Sequence, residues 1–192
     1  MSKLGLADDL FIRDDVPMTK SEIRALTIIK LQLEDHDIFW DIGAGTGSIS
    51  IEAAQNIKKG QVYSIEKNNK AVRLIAENKK KFNCPDLKII HGTAPQVLAG
   101  LPRPTKAVVG GSGGNLTDIL EYLWLETKVE NIVVNSITLN TAYQAIKIFH
   151  DYHAVIDAAQ ISVNKIKLVN DLQMLDSQNP IFIICGKRIG GQ

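Results

Sequence analysis

Short apolar runs rich in β-branched residues alternate with longer segments of helical spacing along most of the chain. This alternation is typical of a parallel α/β sheet, in which a helix follows each strand. The apolar runs predict strands over 38–42, 61–66, 87–91, 107–109 and 131–135. The intervening segments predict helices over 48–56, 69–82, 94–99, 116–126 and 141–150.

The two ends of the chain do not follow this alternation of strands and helices. Residues 1–17 carry mixed charge and end in a proline, which predicts an N-terminal arm. A helix is predicted to begin at Thr19, because Thr19 and Glu22 have the spacing of a capping box. Its predicted apolar face comprises Ile23, Leu26, Ile29 and Leu33. Later in the chain, strands over 154–163 and 181–186 have no full helix pattern between them, which predicts a final hairpin-like pair.

Length and composition narrow the class of protein. The 192 residues suit one domain spanning 1–192. The 22 basic and 21 acidic residues give a net charge of +1, which disfavours a nucleic-acid binder that works by phosphate neutralisation. No apolar run approaches the roughly 20 residues of a membrane span, and early acidic residues disfavour a signal peptide. The cysteine and histidine spacing predicts no metal site, and a cytoplasmic location is expected.

A glycine-rich turn over 41–47 follows the first predicted strand. Doubly wound sheets bind nucleotide-like ligands at such turns, because glycines let the backbone approach a ligand closely. Glu66 ends the next strand, 21 positions after Gly45, where an acid can bind ribose hydroxyls. The GxGxG spacing differs from the GxGxxG of dinucleotide folds, and no P-loop motif accompanies it. A turn without a ligand and a nicotinamide site are the alternatives at this point.

Further segments accompany the glycine turn. They are 14–20 (DDVPMTK), 91–95 (HGTAP), 109–115 (VGGSGGN), 160–164 and 179–184. Together with the turn they resemble the precorrin methyltransferases of the cobalamin pathway, which methylate carbon 15 and decarboxylate an acetate side chain. The similarity runs from about Leu10 to Gly186, and the GGSGG run is its most specific piece.

The resemblance implies an α/β fold of the class I methyltransferase (Rossmann-like) type, with a doubly wound, mostly parallel seven-stranded sheet and an antiparallel last strand. It also implies S-adenosyl-L-methionine as cofactor, a tetrapyrrole as substrate and a homotetramer. The cofactor contacts that it implies are Thr19, Gly43, Ala44, Gly45, Thr46, Gly47, Glu66, Thr93, Ala94 and Gly110. Thr19 would reach the methionine end, Glu66 the ribose, and Thr93 with Ala94 the adenine.

Two features predict the substrate side of the site. Four glycines within 110–114 do not stabilise a strand, so this run is expected to leave a wide open surface at the bottom of the binding site. Its predicted substrate contacts are Gly111, Ser112, Gly113 and Gly114. A precorrin carries many carboxylates, and cations should therefore flank it. The candidates are Arg13, Lys20 and Arg24 near the arm, followed by Lys165 and Lys167.

The sequence predicts no catalytic side chain. The methyl group of a sulfonium is already a strong electrophile, so alignment with an electron-rich carbon should dominate the reaction. An Asn/Asp-Pro-Pro-aromatic tetrapeptide, which marks amino-group methylation, is missing after the fourth strand, and DNA adenine methylation is disfavoured. The alternatives are methylation of RNA or protein, a nicotinamide-dependent oxidoreductase, and a non-enzymatic RNA-binding or scaffold protein.

A run of three large apolar residues offers soft support for assembly. Leu123, Trp124 and Leu125 cannot all face one core if they lie in a helix. Exposed apolar patches often mark interfaces, so this run is the predicted contact region of the homotetramer.

Overall fold

The computed structural model describes residues 4–189, which form five α-helices and nine β-strands. The helices are α1 (Ser21–Leu31), α2 (Ser48–Asn56), α3 (Asn69–Lys81), α4 (Leu116–Leu125) and α5 (Leu139–Asp151). The strands are β1 (Ile38–Ile42), β2 (Gln61–Glu66), β3 (Lys88–His91), β4 (Lys106–Val109), β5 (Asn131–Ser136), β6 (Val155–Ile161), β7 (Asn164–Val169), β8 (Leu172–Ser177) and β9 (Ile181–Lys187).

Seven of the strands form one sheet in the order β3-β2-β1-β4-β5-β9-β6. The pairs among β1 to β5 are parallel, whereas β9 is antiparallel to both β5 and β6. This arrangement confirms the predicted doubly wound, mostly parallel sheet with an antiparallel last strand. The order reverses at β1 and β4, so their carboxyl ends border the crevice where such sheets bind ligands.

The sheet separates two apolar cores, because successive strand residues point to opposite faces. Helices α1, α2 and α3 cover one face, where Phe39, Val108 and Val133 are buried. Helices α4 and α5 cover the other face, against Trp40 and Ile132. The sheet is thus buried on both sides over its central strands, as the continuous apolar runs of the sequence indicate.

The first helix differs from its prediction. It begins at Ser21 after Lys20, and Lys20 makes no side-chain cap, so the capping box assigned to Thr19 is wrong. The hydroxyl of Ser21 instead donates to the Glu22 carboxylate at 3.1 Å. Ile29, predicted to be apolar core, is 58% exposed. The buried face of α1 comprises Ile23, Arg24, Thr27, Ile28 and Leu31.

Two further element boundaries also differ from the sequence prediction. The helix expected over 94–99 is a single 3-10 turn, Gln96–Leu98. Helix α5 starts two residues earlier than predicted, because the Thr138 side chain caps it by accepting a hydrogen bond from the Thr141 N–H. The remaining predicted strands agree with the sheet to within two residues at each end, β6 ending at Ile161.

The hairpin β7–β8 is the element that the sequence analysis missed. It joins β6 to β9 and forms a separate two-stranded sheet. Asn170 and Asp171 at its turn both have positive φ, as a two-residue hairpin turn of the primed type requires. All residues of both strands are exposed, including Ile166, Leu168 and Leu175. The hairpin therefore projects from the domain with an apolar surface.

Between residues 4 and 189, no helix combines the length and the apolar character needed to cross a bilayer. Within the same range, no group of three or more His, Cys, Asp or Glu residues is arranged to hold a metal ion. Cys84 and Cys185 are buried free thiols, and burial raises the pKa of Cys185 to about 11.

Candidate active site

A cavity of about 830 Å³ opens at the carboxyl ends of the central strands. Its walls combine the arm (15–20), the glycine turn (43–45), the end of β4 (109–112), the end of β5 (135–138) and the chain entering β9 (Gln178, Asn179, Ile181). The size lies in the range of small-molecule sites in proteins, about 300–1,000 Å³. The cavity thus gathers segments that are far apart in the sequence at the predicted edge of the sheet.

The glycine turn packs backbone to backbone against the loop after β4. Gly43 has a φ of +73°, and a Cβ there would lie 2.6 Å from the nitrogen of Gly111. Its N–H donates to the Ile65 carbonyl at 2.9 Å, which ties the turn to β2. Only glycine combines this conformation with this close approach. The turn and the GGSGG loop therefore form one continuous backbone surface in the cavity.

Glu66 lies at the end of β2 with its carboxylate across the glycine turn. Its Oε2 accepts a hydrogen bond from the Gly45 N–H at 2.9 Å, and its Oε1 accepts one from the Asn68 N–H at 2.8 Å. The side chain lines both this cavity and a smaller neighbouring one. Two backbone donors hold the carboxylate in place, and its remaining lone pairs can accept hydroxyl protons from a ribose.

Asp41 is a site residue to which the sequence analysis gave no role. It is the second-last residue of β1, two positions before Gly43, lines the cavity, and is 1% exposed. Its Oδ2 accepts hydrogen bonds from the Ser50 N–H at 3.0 Å and the Ser50 hydroxyl at 2.6 Å. The pKa of Asp41 is raised to about 7, mainly by burial and in smaller part by the charge of Glu66, against the opposing hydrogen bonds from Ser50. A cationic ligand group beside it would favour the ionised form.

A smaller cavity of about 150 Å³ adjoins the first on the far side of Glu66. Thr93 and Ala94, predicted to border adenine, line this cavity together with Lys67 and Gly113. The Asn115 side-chain amide donates to the Ala94 carbonyl at 3.3 Å. The loop after β3 and the loop after β4 therefore meet at one place, beside the predicted ribose acceptor.

Most of the predicted cofactor contacts come together in these two cavities. Thr19, Gly43, Ala44, Gly45, Glu66 and Gly110 line the larger cavity. Thr46 and Gly47 line neither. Thr46 is 1% exposed and presents its carbonyl to α3, and Gly47 precedes α2 as its N-cap. These two residues support the turn from behind.

The predicted substrate contacts divide in a similar way. Lys20, Gly111 and Ser112 line the larger cavity and Gly113 the smaller one. Gly114 and the exposed Arg13 line neither. Lys165 is paired with Glu22 at 3.1 Å, and Lys167 with Asp176 at 3.0 Å, both away from the cavity walls. Of these cations, Lys20 alone reaches the cavity.

The prediction that Arg24 contacts the substrate is wrong. Its side chain is fully buried and its Nε donates to the equally buried Glu52 carboxylate at 2.5 Å. The rest of its guanidinium donates to Asp8 and to the carbonyls of Leu6 and Thr19. Since protein groups occupy these donors, Arg24 anchors the arm to α2. The position of an arginine within an otherwise apolar helical pattern was the sequence signal that its side chain is buried and paired inside the protein.

A second part of the cavity wall carries neutral polar residues that the sequence analysis missed. They are Asn135, Ser136, Thr138, Thr141, Gln178 and Asn179, and Ile137 stands among them 66% exposed. The Asn135 amide donates to the Thr27 hydroxyl at 3.0 Å, which fixes its orientation. The end of β5 and the start of β9 lie at the same edge of the sheet. These residues are distant in the sequence, so only the strand order brings them together.

The cavity fits an S-adenosyl cofactor by its chemistry. Glu66 offers an acceptor for ribose hydroxyls, and both described hydrogen bonds to Asp41 go to Oδ2, which leaves Oδ1 for an ammonium group. The absence of a side chain at Gly43 lets the turn pack directly against Gly111, and both glycines line the cavity. Neither His nor Cys lines either cavity among the described residues.

The sheet order, the antiparallel β9 and the glycine turn paired with the acid of β2 define the class I methyltransferase fold. Residues 9–187 match the precorrin methyltransferase domain family, and the chain belongs to that family.

Relatives of known name support this assignment along nearly the whole chain. The chain is 34% identical to the cobalt-precorrin-6B C(15)-methyltransferase (decarboxylating) of Salmonella typhi, covering 93% of this chain and 94% of the relative. A solved precorrin-6y C5,15-methyltransferase from Geobacter metallireducens superposes with a TM-score of 0.91 at 35% identity, over 96% and 98% of the two chains. A precorrin-8w decarboxylase structure from Methanobacterium thermoautotrophicum gives 0.89 at 28% identity, over 95% and 100%.

Proposed function

We propose that this chain methylates carbon 15 of a precorrin-6B-type tetrapyrrole, with S-adenosyl-L-methionine as the methyl donor, and releases carbon dioxide from an acetate side chain of the same substrate. The cavity carries the proposal. In a member of the precorrin methyltransferase family, it joins a wall suited to the adenosyl cofactor to a second wall of neutral polar groups. The names of relatives that match along the full chain support the choice of substrate.

The residues of the first wall would bind and orient the cofactor. Its sulfonium supplies an electrophilic methyl group. Glu66 would accept from the ribose hydroxyls, Asp41 would face the ammonium of the methionine end, and Thr19 would close the site from the arm. Thr93 and Ala94 would border adenine in the smaller cavity. Because these groups fix position and exclude water, they act by proximity and orientation.

The residues of the second wall would hold the macrocycle. Most polar groups there are amides and hydroxyls, which donate hydrogen bonds to carboxylates without a full positive charge. Lys20 is the cation that reaches the cavity with a loose partner, 3.9 Å from Asp8 and with a side chain 35% exposed. Lys70 also lines the cavity, but it is paired with Asp14 at 2.8 Å and with Asp15. Lys20 is therefore the proposed partner of a substrate carboxylate.

The proposal includes a cytoplasmic homotetramer. The contact region predicted at 123–125 does not support it, because Leu123 and Trp124 are buried and only Leu125 is exposed. The support comes instead from the hairpin β7–β8, whose exposed apolar side chains would be buried by a contact between subunits. A near-neutral net charge is consistent with a small-molecule substrate and no nucleic-acid partner.

The decisive experiment is to incubate the purified chain with a precorrin-6B-type substrate and S-adenosyl-L-methionine and to measure the product mass. The proposal predicts a product that has gained one methyl group and lost carbon dioxide. Gain of the methyl group alone would remove decarboxylation from the proposal. If the tetrapyrrole is unchanged and the chain instead methylates RNA or protein, that activity would replace the proposed function. If the tetrapyrrole is unchanged and calorimetry shows binding of a nicotinamide cofactor, an oxidoreductase function would replace it.

A further inference from the structure

Asn78 on α3 lies between the N-terminal arm and the glycine turn. Its side-chain amide accepts from the Ile12 N–H at 2.9 Å, and it donates to the Ile12 carbonyl at 2.8 Å and to the Thr46 carbonyl at 3.0 Å. The residue is fully buried and lines neither cavity. One side chain thus satisfies both backbone groups of Ile12, as a neighbouring strand would, and holds the glycine turn at the same time.

The arm is fixed on both sides of the segment that walls the cavity. On one side, Phe11 is buried with its ring centroid 4.6 Å from that of Phe82, next to the Asn78 contact. On the other side, the Arg24 guanidinium donates to the Thr19 carbonyl at 2.6 Å. The chain between these anchors passes directly over the glycine turn, where the Pro17 carbonyl would lie 3.0 Å from a Cβ at Gly45.

We infer that Asn78 is a positioning residue for the cofactor: it sets the gap between the arm and the glycine turn in which the methionine end lies. The inference rests on the proposed use of S-adenosyl-L-methionine. Asn78 would act through Ile12 and Thr46, which flank the gap, without touching the ligand itself. Loss of its amide leaves the arm free to move away from the turn while the sheet and its cores stay intact.

The chain offers a matched control for this role. Asn131 is also buried, at 2% exposure, and its amide donates to the carbonyls of Lys30 at 2.8 Å and Leu31 at 3.1 Å. It begins β5, so it lies at the opposite edge of the sheet from the cavity. Asn78→Ala and Asn131→Ala each remove a buried amide with two carbonyl partners, but only the first touches the arm and the turn.

A second variant breaks the same contact by a substitution in the arm instead of in α3. Ile12→Pro removes the N–H that Asn78 accepts and leaves the α3 side chain in place. Phe11 has an extended backbone (φ −91°, ψ 139°), which the residue before a proline favours. The Ile12 side chain is 37% exposed, so this variant spares the core even if Asn78→Ala folds poorly.

The test is calorimetric titration with S-adenosylhomocysteine, combined with trypsin cleavage after the exposed Arg13. In the wild type, the ligand should slow this cleavage. In Asn78→Ala and Ile12→Pro, we expect the Kd to rise about tenfold, the scale of one lost buried hydrogen bond, and the cleavage to accelerate. In turnover, the KM for the cofactor should rise while kcat at saturation stays unchanged. Asn131→Ala should bind and be cleaved like the wild type.

Three other results would overturn the inference in different ways. If Asn78→Ala loses thermal stability as Asn131→Ala does but keeps wild-type affinity and protection, Asn78 is a structural residue only. If Asn131→Ala weakens binding equally, general destabilisation is the cause. If the wild type itself does not bind S-adenosylhomocysteine, the proposed cofactor fails and this role of Asn78 fails with it.

Discussion

Two carboxylates at the carboxyl ends of neighbouring strands differ in how they are held. Glu66 accepts from two backbone N–H groups and lines both cavities, whereas Asp41 is buried beneath the turn with Ser50 as its partner. Their surroundings suit different parts of one ligand. A partly accessible carboxylate can accept hydroxyl protons, and a buried one gains most from a cation that restores its ionised state.

Replacing Glu66 should weaken the cofactor site without unfolding the domain. We expect Glu66→Gln to lower the affinity for S-adenosylhomocysteine by about 1.5–3 kcal/mol, the value of hydrogen bonds to a charged group. Isothermal titration calorimetry measures this loss, and Glu77→Gln on the exposed side of α3 is the matched control. Equal affinity of the two variants would remove Glu66 from the ribose site.

Asp41 should make the stability of the ligand-free protein depend on pH. Its pKa of about 7 in the folded state lies above the ordinary value of 3.8, so the folded state binds more protons than the unfolded state between these two values. The free energy of unfolding should therefore fall as pH rises from about 4 to 7 and then level off. Urea titrations at several pH values report this slope.

The variant Asp41→Asn should lack that slope. It should be more stable than the wild type by roughly 4 kcal/mol at pH 8, since the pKa of Asp41 lies about three units above its ordinary value and each unit corresponds to about 1.4 kcal/mol. The difference should vanish near pH 4. The exposed Asp86 provides the control Asp86→Asn, which should follow the wild type. A parallel pH dependence in Asp41→Asn would show that other groups cause the slope.

At the level of elements, the sheet could be predicted because its central strands are buried on both faces. The runs 38–42 and 61–66 match β1 and β2 residue for residue, since no other arrangement hides so many adjacent apolar side chains. The hairpin β7–β8 escaped prediction although Ile166 and Leu168 alternate with Lys165 and Lys167 as strand residues do, because neither strand has a buried face that packs on the core.

The site could be predicted only where it consists of a continuous motif. The glycine turn and Glu66 lie on adjacent strands at a known spacing, and the cavity contains both. Asn135 and Asn179 are far apart in the sequence and meet through the position of β9 in the sheet. Arg24 was assigned to the substrate because a sequence does not show whether an arginine already has partners inside the protein.

Arg24 joins α1, α2 and the arm, so its loss should reduce stability. Arg24→Gln leaves the Glu52 carboxylate buried without a counter-charge, and breaking such a pair typically costs about 3–5 kcal/mol. The exposed Arg13→Gln should change the free energy of unfolding by less than about 0.5 kcal/mol. Urea denaturation of both variants checks the contrast, and equal stability would mean that the arm contributes little to the fold.

At the scale of the whole molecule, the apolar hairpin predicts assembly through its own face. Ile166 and Leu175 are cross-strand partners on one side of the hairpin, with Leu168 beside them. The wild type should scatter light as a tetramer of the 21.1 kDa chain. Leu168→Lys should dissociate it, because a charge would be buried in the contact.

The substitution Leu125→Lys separates this face from the one suggested by the sequence. Leu125 is 62% exposed on α4, comparable with the 74% of Leu168. The substitution Leu125→Lys should leave the tetramer intact. A single 21.1 kDa species for the wild type at micromolar concentration would refute the assembly, and dissociation by Leu125→Lys alone would move the contact to α4.

The backbone contact between Gly43 and Gly111 limits where this domain can acquire a new specificity. Any side chain at 43 would collide with main chain, which cannot rotate away as a side chain can. Variation is open instead at 135–138 and 178–179, where side chains line another part of the same cavity. A directed-evolution library confined to those positions should redirect the enzyme towards other macrocycles and preserve its methyl donor, whereas a library at the turn should yield mostly inactive clones.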